Sequence, residues 1–135
     1  MITATLTLAL AIQAAAPQMK AIDTGQNSTS TAPRQVVVRS AQDWENVWRS
    51  VSSTRPMPAV DFSGSLVVGV FLGQRSTGGY GVQIVRTREE KGTLVVEYRE
   101  TRPAPGTMSA QVMTAPYQIV AVPKFDGEVR FEKVE

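Results

Sequence analysis

The chain contains neither cysteine nor histidine, and these two absences exclude most hydrolase mechanisms. Without cysteine there is no disulfide framework, no thiolate nucleophile, no Cys-ligated zinc and no thiol to carry a lipid anchor. Without histidine the chain lacks the commonest general base near neutral pH and the commonest metal ligand. A Ser-His-Asp hydrolase, a His-ligated zinc centre or an HExxH protease cannot be built from this chain alone. A dominant charge is missing too: fourteen Lys plus Arg stand against twelve Asp plus Glu, for a net charge of +2. The densest basic group, Arg86-Thr87-Arg88, runs straight into Glu89 and Glu90, whereas a phosphate backbone calls for several cations on one face. Neither a nucleic-acid partner nor a cofactor is expected. The 135 residues suit one domain, long enough to bury a core without metal or disulfide staples.

Residues 1–16 carry no charged side chain; Ile2, Leu6, Leu8, Leu10 and Ile12 form an apolar stretch that ends in Gln13-Ala14-Ala15-Ala16. An apolar stretch followed by small residues has the character of a secretory signal peptide. No Lys or Arg precedes it and Pro17 follows the best Ala-x-Ala site, so the cleavage position stays open. The stretch is too short to cross a hydrocarbon core of about 30 Å. The expectation is an extracytoplasmic protein, periplasmic or secreted, that is neither inserted in a membrane nor lipid-anchored. Residues 17–33 follow as a flexible linker, since Asp23 to Pro33 is almost wholly small or polar and offers nothing to bury. The compact domain is expected over residues 34–135.

Within that domain Val36, Val37 and Val38 read as a strand. Ser40 stands three residues before Asp43, a capping-box arrangement with Asp in the acidic position. Ala41, Trp44, Val47, Trp48 and Val51 recur at helical spacing, which predicts one amphipathic helix with both tryptophans on its core stripe. After Pro56-Met57-Pro58, the run from Leu66 to Leu72 is apolar throughout, the pattern of a strand covered on both faces. Tyr80, Val82 and Ile84 alternate, as do Leu94, Val96 and Tyr98, around a polar Glu89-Glu90-Lys91-Gly92 loop, which predicts a hairpin. A second hairpin is expected to join residues 117–122 to 129–134 through Asp126-Gly127, with glycine at positive φ. Met108, Ala110 and Val112 suggest a weaker strand between them. The fold class is α+β: a single domain with a largely antiparallel sheet of about seven strands and one amphipathic helix packed on it.

Two segments invite a chemical reading. Asp23-Thr24-Gly25 matches the core tripeptide of aspartic proteases, which need two such aspartates sharing a proton. One copy makes that reading depend on a homodimer; the alternative is a chance turn. Thr77-Gly78-Gly79-Tyr80-Gly81 is the most distinctive segment. Its glycines permit positive φ and close approach, and consecutive N–H groups there would form an anion nest. It satisfies neither GxGxxG nor the P-loop pattern, and the competing reading is a turn out of the central strand with Tyr80 entering the core. Asn27-Ser28-Thr29 is a glycosylation sequon of little specificity, and Asp61 before Phe62 reads as a pin for the central strand.

The Ser-x-x-Asp-Trp helix start, Val60-Asp61-Phe62, the apolar strand, Gly73-Gln74-Arg75-Ser76-Thr77-Gly78-Gly79-Tyr80 and Ala115-Pro116-Tyr117 together resemble the PrcB C-terminal domain family. The resemblance covers roughly Val36 to Lys124. It implies a supporting role beside a protease in a bacterial extracytoplasmic complex, with no catalytic or metal-binding residue in this domain. Arg75, Thr77, Gly78, Gly79 and Tyr80 are the candidate binding loop and an extracytoplasmic protein, a protease among the possibilities, is the expected partner. A small-ligand binder using that loop with Tyr80, Tyr98 and Tyr117 is the alternative, and the aspartic protease dimer on Asp23 a more distant one.

Overall fold

A computed structural model describes residues 19–135. The expected signal segment, residues 1–16, lies outside the described residues, as do the first two residues of the expected linker. Seven strands and one helix follow in the order β1 (Lys20–Gly25), β2 (Arg34–Val38), α1 (Ala41–Arg49), β3 (Ser65–Phe71), β4 (Gly81–Glu90), β5 (Thr93–Thr101), β6 (Tyr117–Pro123) and β7 (Glu128–Val134). The α+β class and the single amphipathic helix stand as read from sequence. The strands, however, form two sheets: β1-β6-β3-β2, all antiparallel, and β4-β5-β7, in which β5 and β7 run parallel.

The three layers follow from the unbroken apolarity of β3. Leu66, Val68 and Val70 face the second sheet and join Val82, Ile84, Leu94, Val96, Val120 and Val122 in one core. Val67 and Phe71 face the opposite way and pack with Val38, Trp44, Trp48, Tyr117 and Ile119 under the helix. A strand sandwiched in this way has no solvent face on which to place a polar residue. At Gly69 an added Cβ would lie 2.9 Å from Val36 Cγ2, which explains the one gap in the helix-facing row.

Helix α1 begins where Ser40, in an extended conformation, accepts a hydrogen bond from the Asp43 N–H at 3.2 Å, satisfying one of the amides that a helix start leaves orphaned. Trp44, Val47 and Trp48 are buried, as the spacing predicts. Each buried indole N–H also finds an acceptor in the loop after the helix: Trp44 Nε1 donates to Pro58 O at 2.8 Å and Trp48 Nε1 to Arg55 O at 3.1 Å. The tryptophans therefore bury apolar area and fix the course of residues 55–58 in one contact.

In the second sheet Lys91 (φ 50°) and Gly92 (φ 80°) form a two-residue turn with both central φ positive, the type I′ geometry that suits strand twist. A register shift between Ile84 and Arg86 sets Arg86 opposite Glu97 and Arg88 opposite Val95, turning cations onto the outer face. There Arg86 pairs with Glu97, and Arg88 with Glu90 and Glu132. Fully buried Val95 sits between Arg88 and Arg130 in register, under a lattice of ion pairs that leaves no apolar surface there.

Four expectations need correction. Residues 20–25, assigned to the linker, form β1, which pairs with β6; the polar Asp23-Thr24 pair is tolerated because β1 is an edge strand. The expected hairpin of residues 117–122 with 129–134 does not form, because β6 lies between β1 and β3 while β7 crosses to the other sheet beside β5. Gly127 is not at positive φ; it is needed for space, since a Cβ would meet Gly92 O at 2.6 Å. Residues 108–112 belong to no strand.

Candidate functional site

The five candidate residues lie together at the exit of β3, and backbone groups of Arg75, Thr77 and Gly78 bond to residues 110–114. Arg75 pairs through its backbone with Thr114, the N–H of each donating to the carbonyl of the other at 2.8 and 2.9 Å. Its guanidinium donates to Leu72 O at 2.9 Å and to Glu100 Oε1 at 3.1 Å, and lies over the Tyr80 ring, 5.6 Å from the centroid. Thr77 O accepts from Thr114 Oγ1 at 3.0 Å. The Gly78 N–H donates to Ala110 O at 2.9 Å. Gly79, at φ 90°, presses so closely on the next layer that a Cβ would meet Pro103 Cγ at 2.8 Å and Ser109 Oγ at 3.1 Å. Both glycine properties are therefore used, positive φ and close approach. The Gly78 amide is spent on Ala110 rather than offered to an anion.

What the glycine segment supports is residues 102–113, a long excursion between β5 and β6. Inside it the Thr107 N–H and Oγ both bond Ala104 O, and Pro103 and Pro105 restrict the backbone. From that braced frame Met108 projects fully, at 102% exposure, with Val112 at 57% and Met113 at 63%. Among the described residues the only other large exposed apolar side chain is Met57. From Pro103 to Pro123 the sequence has no charged residue. The alternation of Met108, Ala110 and Val112 reads as a weak strand in sequence; what sets the stretch apart is its unbroken lack of charge beside two prolines and a glycine.

Glu100 closes the back of the site. It lies in the shadow of the sheet with Arg75 on one oxygen and Lys133 Nζ, at 3.0 Å, on the other. Burial works against its charge, yet the hydrogen bonds from Lys133 and Arg75 prevail and hold its pKa below the ordinary glutamate value. An open cleft of about 340 Å³ beside it is lined by Arg34, Gln35, Phe71, Arg75, Tyr98 and Glu100, among others. The three tyrosines proposed for a ligand site do not converge. Tyr98 faces this cleft and accepts from Gln35 Nε2 at 3.2 Å, Tyr80 lies under Arg75, and Tyr117 is on the helix side of the first sheet.

Asp23 sits in a different environment from a proton-sharing aspartate. Arg55 donates to both its oxygens, at 3.2 and 2.9 Å, and the Tyr117 hydroxyl donates to Oδ2 at 2.6 Å. Burial disfavours the carboxylate, but the Arg55 and Tyr117 hydrogen bonds outweigh it and lower the Asp23 pKa. Burial followed by the bond to Asp23 raises that of Tyr117. A protease dyad needs a second aspartate sharing the proton; here both carboxylate oxygens are already engaged by Arg55 and Tyr117. The trio ties edge strand β1 to the loop after the helix. Gly25 completes it, since a Cβ there would fall 2.7 Å from the Tyr117 hydroxyl.

Among the described residues no group of three or more Asp or Glu side chains is placed to hold a metal ion, and no helix is long and apolar enough to cross a membrane. Residues 66–123 match the PrcB C-terminal family, the family the motifs resemble. That span runs from β3 to the end of β6 and contains both the glycine segment and the excursion it braces. No curated protein and no solved structure matches the chain.

Proposed function

We propose that this chain is an exported, non-catalytic interaction module that serves as an accessory or stabilising subunit of an extracytoplasmic protease complex. One observation carries the reading: the PrcB C-terminal match encloses a surface built for contact, in which Arg75, Gly78 and Gly79 hold an uncharged, apolar excursion out into solvent. The absence of cysteine and histidine supports a role other than catalysis, as does the closed Asp23–Arg55–Tyr117 arrangement. Exposed unbranched methionines are adaptable contact residues.

The test is affinity purification with residues 17–135 as bait on envelope extract of the source cell, with mass spectrometry of what is retained. Recovery of a protease by the wild-type chain, and its loss on Gly79→Asp in a variant that still unfolds cooperatively, supports the reading. If no protease is enriched over denatured bait, the accessory role is refuted. The open cleft beside Glu100 favours a second reading, a small-ligand-binding envelope protein. Thermal stabilisation by an envelope metabolite in the absence of any protein partner would select it.

A further inference from the structure

We infer that the chain forms a symmetric dimer in which β7 pairs with β7 of a second copy, antiparallel and centred on Phe131, so that two three-stranded sheets become one of six strands. Three observations support it: which sheet edge is open, what that edge leaves unfinished, and which register its charges allow.

The two sheets have four outer strands, β1, β2, β4 and β7, each a row of backbone groups able to pair with another chain. Three of them carry a feature that discourages this. A register shift interrupts β1 between Ala21 and Asp23 and β4 between Ile84 and Arg86, and the Ile84 N–H is taken by Gln118 Oε1. Strand β2 has five residues, with Pro33 directly before it. Strand β7 has none of these. Its seven residues keep an unshifted register with β5, contain no proline and, among the described residues, make no other backbone–backbone hydrogen bond.

Both faces of β7 are unfinished. On the inner face Val129 and Phe131 pack against the core but stay half-buried. On the outer face Arg130 comes within 3.6 Å of Glu90 and 3.7 Å of Glu132 without hydrogen-bonding either. Glu132 is hydrogen-bonded through Oε2 alone, to Arg88. A further strand would cover the apolar pair and could offer Arg130 a partner.

The alternating charges select a second copy as that strand. Charges on an edge usually repel an incoming chain, but opposite charges set directly across an antiparallel pair attract. A two-fold axis that keeps both apolar faces on one side of the sheet pairs even-numbered residues with even and odd with odd. Centred on Phe131, it sets Arg130 of each copy opposite Glu132 of the other, Phe131 on Phe131, and the Lys133 stem over Val129. Centred on Arg130, it would set Glu128 against Glu132 and Arg130 on itself; centred on Glu132, carboxylate would meet carboxylate. Centres nearer either end overlap only three residues of each strand.

Sedimentation equilibrium of the full chain tests the inference. The expected result is a reversible monomer–dimer equilibrium with a dissociation constant below about 1 mM. Arg130→Glu sets like charges opposite each other at two symmetric positions and is expected to raise that constant at least about tenfold. Adding Glu132→Arg to it restores the complementary pairs and with them the dimer. Because the chain has no cysteine, the register can be read separately. An oxidised mixture of Arg130→Cys and Glu132→Cys chains should give the mixed disulfide in excess over either symmetric one, since only directly opposed Cβ atoms come within bonding reach. A chain that stays monomeric up to about 1 mM overturns the inference, including one that accepts a strand from a different protein instead. So does a dimer that Arg130→Glu leaves equally tight while its unfolding remains cooperative. Should that variant fail to fold, the cysteine mixture decides, and symmetric disulfides, or none, overturn the pairing.

Discussion

Tyr117 links three parts of the molecule through one side chain. Its ring stacks on Phe71 in the core under the helix, its hydroxyl donates to Asp23 on the edge strand, and the same hydroxyl accepts from Arg55 at 3.0 Å. Removing only the hydroxyl isolates the polar part. Tyr117→Phe is expected to cost about 1–2 kcal/mol in urea unfolding at pH 7, through the loss of its hydrogen bonds to partly solvated Asp23 and Arg55, and to move the Asp23 pKa back up toward its ordinary range in a carboxyl NMR titration. The sign of the pH dependence follows from the direction of that shift. Because the folded-state pKa of Asp23 is depressed, its contribution is complete above the unfolded value of about 3.9 and is lost as pH falls through the folded pKa. Asp23→Asn should therefore flatten the acid limb of the stability profile. An acid limb as steep as wild type would show that the carboxylate is not held by this trio. At the same scale, Trp44→Ala removes the largest fully buried side chain and is expected to destabilise by about 3–5 kcal/mol; a loss under about 1 kcal/mol would mean the layer under the helix collapses to fill the space.

At the scale of elements, the helix and β3 were legible because each has one unambiguous pattern. Trp44, Val47, Trp48 and Val51 share a stripe, and β3 has no polar interruption from Leu66 to Phe71. The β4–β5 hairpin was legible from Lys91-Gly92 and the alternation on either side. Strand β1 was not, because its residues hold it through partners far along the chain: Ile22 packs under the helix and Asp23 reaches Arg55 and Tyr117. Removing residues 1–25 is expected to expose the edge of β6 and leave Arg55 without its carboxylate. Such a chain should aggregate or lose its cooperative unfolding transition in circular dichroism, and a fully stable chain starting at Gln26 would show that β1 is dispensable. The capping contact is a finer test of the helix: Ser40→Ala is expected to cost about 1 kcal/mol, measured by urea unfolding.

At the scale of the whole molecule, the division into two sheets was hidden because β7 offers the same alternating pattern to either neighbour. The short Lys124–Gly127 connection permits the local hairpin. What decides against it is a non-local match: Val129 and Phe131 stand beside Leu94 and Val96 in register and complete the apolar floor of the second sheet, while β1 already occupies the free side of β6. The candidate site was legible by half. The glycine segment stands out in the sequence through Gly78, Gly79 and Gly81, but its contacts with residues 102–113 join β3's exit to a loop that follows two strands later.

The same layout governs the order in which the chain can find its shape. Only β4 and β5 are joined by a tight turn; β3 waits for β6, β1 waits for β6, and β5 waits for β7. A hairpin of this kind closes within microseconds, whereas pairings across long separations carry the slow phase of folding. Early on, the β4–β5 hairpin must therefore hold Val82, Ile84, Leu94 and Val96 in a row with nothing over them, until the sheet containing β3 arrives to cover it. That interval is when the chain is most prone to associate with its own copies. The arginines and glutamates on the hairpin's other face leave that face charged, so only one side of an isolated hairpin offers apolar surface to another copy.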